Sequence, residues 1–125
     1  MTQLTQNFRL EEWASRGRMP TDPAVLANIA KCARNLQVLR DVLQAPITII
    51  SGWRSQQHND DVDGAKDSQH MKGTAADIVV KGVLPKDVFA AISRLQREGK
   101  MDKGGAHAYG KSFTHYDCRG VNARW

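Results

Sequence analysis

The sequence predicts an α+β domain, with helices packed on a small antiparallel sheet, and three observations lead there. One long amphipathic segment opens at Pro23. Four short segments have the apolar or alternating character of strands. After a brief first helix, the order is helix, strand, strand, helix, strand, strand, which suits helices covering one face of an antiparallel sheet. The 125 residues are enough for one domain, 1–125, that buries a modest core without disulfides.

Taken in order, FRLEEWA (8–14) reads as a short helix that stops before Gly17. Asp22 caps and Pro23 starts the long helix, whose apolar residues Val25, Ile29, Cys32, Leu36, Leu39 and Leu43 fall at spacings of three and four along one stripe. Pro46 ends it. ITII (47–50) is a short buried strand, and the polar stretch from Ser51 to Lys72 reads as loop. AADIVV (75–80) is the second strand. Pro85 opens a helix with Val88, Ala91, Ile92 and Leu95 on one face, and Gly99 to Gly105 forms a turn. Two strands close the chain, near 106–109 and 113–119.

No apolar run approaches the roughly 20 residues that cross a bilayer, so membrane insertion is not expected. The charged first twenty residues lack the apolar stretch of a secretory signal, which implies synthesis in a cytoplasm. Eighteen Lys and Arg against thirteen Asp and Glu give a net charge of +5. That favours anionic partners, nucleic acid or cell wall, without choosing between them. The basic residues are scattered and match no nucleic-acid-binding motif, so nucleic acid is not expected as a partner. Cys32 and Cys118 lack CxxC spacing and read as two unrelated thiols.

The chemistry concentrates in SQHMKGTAAD (68–77). Gly73 permits a sharp turn and Ala75 and Ala76 leave room, so His70 can fold back toward Asp77 at the start of the second strand. An aspartate inside an apolar strand costs several kcal/mol if buried alone, and therefore demands a cation or a hydrogen-bond network. In FTHYDCRG, alternation sends Phe113, His115 and Asp117 one way and Thr114, Tyr116 and Cys118 the other, which makes His115 a third ligand candidate. Two imidazoles and a carboxylate with an open fourth position form a catalytic zinc arrangement.

SxHxxGxAxD followed by a strand carrying HxD resembles the D-Ala-D-Ala carboxypeptidase family of zinc peptidases, which also includes cell-wall endopeptidases and phage endolysins. NFRLEEW, SGWRS (51–55), the GG turn at 104–105 and FTHYDCRGVNARW extend the resemblance along most of the chain, to the short single-domain branch of that family. The resemblance implies a hedgehog/D-Ala-D-Ala-peptidase-like fold, zinc as cofactor, His70, Asp77 and His115 as its ligands, and peptidoglycan stem peptides as substrate. It implies that Arg54 holds a substrate carbonyl or carboxylate, a task suited to a fixed forked cation. Ser68 matches the motif's serine and would orient the loop or a ligand carboxylate.

At the general base the pattern departs. Many relatives carry an acid three residues before the last histidine, where this chain has Ser112. Asp117, two residues past His115, and His107, in GGAHAYG, are the remaining candidates, with Asp117 ahead; the alternative role for Asp117 is to brace His115 or Arg119. His58 reads as solvent-facing. The leading function is zinc-dependent hydrolysis of stem peptides, as D-Ala-D-Ala carboxypeptidase or endopeptidase, by a monomeric phage lysis enzyme reaching the wall after release from the cytoplasm. The alternatives are a non-catalytic zinc-binding module of the same fold and a basic nucleic-acid-binding protein with incidental histidines.

Overall fold

The computed structural model describes residues 2–125, and the first element in it is a 3-10 turn, Leu10–Trp13, shorter than the helix read from FRLEEWA. Glu12 reaches back to the Arg9 N–H (2.6 Å), which stops the turn from extending toward Phe8. Phe8 and Trp13 are both buried and meet edge to face, with ring centroids 6.0 Å apart.

Helix α1, Pro23–Leu43, is the expected amphipathic helix, with Asp22 Oδ1 accepting from the Ala24 N–H at 2.9 Å. Ile29, Cys32, Leu36 and Leu39 of its stripe are fully buried, each apolar side chain contributing roughly 1.5–3 kcal/mol. The helix stops before Pro46 because Gln44 adopts the left-handed conformation, φ 50°.

The strands are β1 (Ile47–Ser51), β2 (Ala75–Val80), β3 (Ala106–Tyr109) and β4 (Phe113–Asp117), in the order β1-β2-β4-β3 with every pairing antiparallel. β4 ends at Asp117, two residues short of expectation. Beyond it the Cys118 N–H bonds to the Thr74 carbonyl (3.1 Å), and the chain turns away from the sheet. Ala76, Ile78, Val80, Ala106 and Tyr116 join α1 and α4 (Pro85–Arg97) in one core. Side chains alternate between the faces of a strand, so Asp77, His115 and His107 project from the other face. Register then sets a row across the sheet, Ser51–Asp77–His115–His107, each residue directly opposite the next.

The stretch read as loop from Ser51 to Lys72 holds two short helices, α2 (Gln56–Asp61) and α3 (Gln69–Lys72). Both are polar and have six and four residues, too few for apolar periodicity to show. Serine caps start them: Ser55 accepts from the His58 N–H and Ser68 from the His70 N–H. The cysteines also differ from expectation. Cys32 from α1 and Cys118 beside β4 are buried in the same core, where each acts on the other's titration, pushing the Cys32 thiol well up and drawing Cys118 down. Their separation in sequence concealed a contact that α1 packing on the sheet creates. Among the described residues, no helix is long and apolar enough to cross a membrane.

Candidate metal centre

Helix α3 exists to carry His70 over the open face of the sheet. Gly73 ends it at φ 82° and lies so close to α1 that a Cβ there would sit 2.7 Å from the Val25 carbonyl oxygen. His70 Nδ1 lies 2.7 Å from the Gly52 carbonyl, to which it must donate, and this leaves Nε2 facing Asp77 Oδ2 at 3.3 Å. From β4, His115 Nδ1 lies 2.9 Å from Asp77 Oδ1. The opposite ring nitrogen, Nε2, lies 2.7 Å from Asp117 Oδ2. All three of His70, Asp77 and His115 are buried, and their ligand atoms fall within 4.8 Å of one another.

This donor set fits a divalent metal. Two imidazole nitrogens and a carboxylate converge, and each histidine's outer nitrogen is tied to a backbone carbonyl or a carboxylate. The electrostatics agree. Burial alone would push the Asp77 carboxyl up, but hydrogen bonds from His115 and His70 outweigh it and hold the group at about 2. Burial opposes charge on His115 as well, yet hydrogen bonds to Asp117 and Asp77 raise its pKa above the ordinary value.

The centre forms the floor of a cleft of about 450 Å³. Arg54, Ser68 and Gln69 stand on one bank, and Tyr109, Phe113 and Trp125 on the other. Arg54 is held by its own N–H to the His70 carbonyl (3.1 Å), by Nη1 to Asn59 Oδ1 (3.4 Å) and by Nη2 near Asp77 Oδ2 (3.7 Å). Its Nε is buried without a hydrogen-bond partner, one of two such side-chain atoms among the described residues. Ser68 is buried and caps α3, which places its hydroxyl on the loop rather than on Asp77.

Asp117 closes β4. It lies on the Nε2 side of His115, away from Asp77, and is wholly buried. Oδ1 accepts from the Gly105 N–H (2.8 Å), the Arg119 N–H (3.2 Å) and Arg119 Nε (2.9 Å), while Oδ2 takes Arg119 Nη2 (2.8 Å) and His115. Burial would raise its pKa, but these donors, Arg119 first, hold it well below the carboxylate range. Both carboxylate oxygens of Asp117 are thus engaged by Gly105, Arg119 and His115. The GG segment, read as a turn, turns out to be a close approach as well. A Cβ on Gly105 would stand 2.3 Å from Asp117 Oδ2.

His107 lies directly across from His115 on the same sheet face, half-buried. Its ring stacks on Trp125 (5.5 Å, 8°) and meets Tyr109 edge-on (4.5 Å), with no hydrogen bond among the described residues. Ser112 is exposed in the β3–β4 turn, outside the cleft lining. His58 is not free in solvent as expected. It is half-buried with Nδ1 2.7 Å from the Ser15 hydroxyl, well apart from the centre.

Sequence reasoning missed the Gly52 carbonyl, Asn59 and Trp125, whereas Arg119, read as one partner that Asp117 could brace, does meet its carboxylate at 2.8 Å. The family model described as Peptidase M15 matches residues 6–117. The chain belongs to the peptidase M15 family. These are the zinc D-Ala-D-Ala carboxypeptidase-like enzymes that the SxHxxGxAxD motif resembles. As a peptidase M15, the chain is a metallopeptidase whose substrate is a peptide. No curated protein matches it.

Proposed function

We propose that this peptidase M15 is a zinc enzyme that hydrolyses stem peptides of peptidoglycan, as a D-Ala-D-Ala carboxypeptidase or an endopeptidase. The observation that carries this reading is the buried His70–Asp77–His115 cluster with Arg54 lining the same cleft. His70 Nε2, an Asp77 oxygen and His115 Nδ1 would hold the zinc, which when bound would supply Lewis-acid chemistry and lower the pKa of water.

The chain's own groups do the rest. Arg54, fixed from three sides, lines the cleft beside the centre, where its guanidinium charge stabilises the negative charge that develops on the scissile carbonyl oxygen. Gly52 and Asp117 hold the two imidazoles in the tautomers that leave His70 Nε2 and His115 Nδ1 toward the centre. Asp117 is committed to five donors, so we assign proton transfer to His107, whose ring nitrogens take no hydrogen bond and which shares the face of His115. The net charge of +5 suits an anionic wall. A phage lysis role, as a monomer reaching the wall after release from the cytoplasm, belongs to the same reading.

The second reading, a zinc-binding module without catalysis, is favoured by one observation: the position where many relatives place an acid is Ser112, outside the cleft. Digesting purified peptidoglycan and weighing the fragments tests both. New fragments that vanish with chelator support the enzyme and identify the bond, whereas intact wall with a zinc-loaded protein supports the module.

A further inference from the structure

The C-terminal segment is fastened to the GG turn by backbone bonds. Gly105 and Ala123 form a parallel bridge, the Ala106 N–H bonds to the Ala123 carbonyl (3.3 Å), and the Ala123 N–H bonds to the Gly104 carbonyl (3.3 Å). Arg124 adds Nη1 to the Gly104 carbonyl (2.9 Å) and Nη2 to Gln96 (2.5 Å). These bonds fix where Trp125 leaves the backbone. Its indole is half exposed to solvent, yet it touches four parts of the centre's surroundings.

It meets the His115 ring edge-on at 5.2 Å and stacks on His107. The Arg119 guanidinium stands over it at 5.9 Å from the ring centroid, and its N–H donates to the Tyr109 hydroxyl at 2.9 Å. Gly105 makes the approach possible, since a Cβ there would press on Asp117, Arg119 and Trp125 together, at 2.3, 2.9 and 3.0 Å. One ring thus braces the metal-facing imidazole and the cation that clamps that imidazole's carboxylate partner. It also ties in the β3–β4 rim of the cleft.

We propose that Trp125 is a positioning residue of the metal centre: its indole holds Arg119, and through it Asp117, in the geometry that orients His115, and pins Tyr109 at the cleft rim. The contribution is geometric. A ring of like shape preserves the packing, and loss of the ring lets Arg119 swing into solvent and the Asp117–His115 bond loosen.

The inference rests on the His70–Asp77–His115 cluster binding a metal and not on any particular substrate, so the primary readout is zinc affinity, measured by competition with a chromophoric chelator. Trp125→Ala should weaken zinc by roughly the 10- to 100-fold typical of partners behind a ligand. Trp125→Phe, which keeps a stacking ring but loses the bond to Tyr109, should recover most of it. Tyr109→Phe should leave zinc affinity unchanged and raise KM for any hydrolysed peptide without lowering kcat, because it frees only the rim. If Trp125→Ala is too unstable to purify, Trp125→Leu, which keeps bulk without a ring, takes its place and should lose zinc affinity where Trp125→Phe does not. Wild-type zinc affinity in a folded Trp125→Ala, or an equal loss in the Phe and Ala variants, would overturn the proposal. A wild-type protein that binds zinc yet cleaves no peptide would instead sink the proposed function and leave this inference standing.

Discussion

Asp117→Asn separates a brace from a base, and the structure sets what each role predicts. The substitution keeps the shape. An amide oxygen at the Oδ1 position still accepts from Gly105 and both Arg119 donors, but the NH₂ at the Oδ2 position meets Arg119 Nη2 and His115 Nε2, two groups that were donating to it. Two charge-assisted bonds at roughly 1.5–3 kcal/mol each give a stability cost of about 3–6 kcal/mol in the metal-free protein. The tautomer changes as well. An amide donor favours His115 with its proton on Nδ1, the nitrogen that faces Asp77 at 2.9 Å and that the metal needs bare. Zinc affinity should therefore fall by about 10- to 100-fold, and hydrolysis should recover when excess zinc is added. The assay is peptidoglycan hydrolysis across a zinc titration, beside a chelator-competition measurement of affinity. Undiminished zinc affinity with turnover down by roughly 10²- to 10⁴-fold at every zinc concentration would refute the brace and restore Asp117 as the base.

Three further outcomes follow from particular contacts. His115 has a raised pKa and must lose a proton to bind metal, so zinc affinity should climb as pH rises toward that raised value and level off above it, with up to one proton released per zinc in calorimetry in buffers of different ionisation enthalpy. In the chelated protein, the His115 contribution to stability is full below its unfolded value of 6.5 and is lost as pH rises through the raised folded value, while that of Asp77 is full above 3.8 and is lost as pH falls toward about 2. Thermal melts should thus peak between those limits, and zinc should flatten the alkaline side. Gly105→Ala forces a methyl onto Asp117 Oδ2 and should cost about 1–3 kcal/mol with a loss of zinc affinity, whereas an unchanged melt with full affinity would contradict the close approach. Replacing both Cys32 and Cys118 by serine puts hydroxyls into the core and should lower the melting temperature, but elemental analysis should still find zinc, because both thiols lie on the core side of the sheet.

Where apolar periodicity or strand alternation was present, the sequence disclosed the structure closely. The stripe from Ile29 to Leu39 located α1, and the alternation of Phe113, His115 and Asp117 against Thr114, Tyr116 and Cys118 separated the face of the centre from the core. The three residues His70, Asp77 and His115 were named from spacing and resemblance, and they do come together. What stayed hidden depends on tertiary contact. The α2 and α3 helices are held by serine caps and by packing, and their polar residues read as loop. The Cys32–Cys118 contact needs α1 laid across the sheet. Arg119 was legible as a partner of Asp117 from its spacing, but the Gly105 N–H, which shares the carboxylate with it, reaches Asp117 only through the fold. Trp125 carried no pattern at all, and only the bridge between Gly105 and Ala123 brings it to the cleft.

The central claim is that His70, Asp77 and His115 hold one zinc that peptide hydrolysis requires. It is tested most directly by stripping the protein of metal and titrating zinc back while following the release of new termini from purified peptidoglycan. The account predicts no release from the stripped protein and activity that rises and saturates at about one zinc per chain, with His70→Ala, Asp77→Ala and His115→Ala silent throughout at that stoichiometry. Hydrolysis that persists in the stripped protein, or that any of the three variants sustains at one zinc per chain, would contradict it.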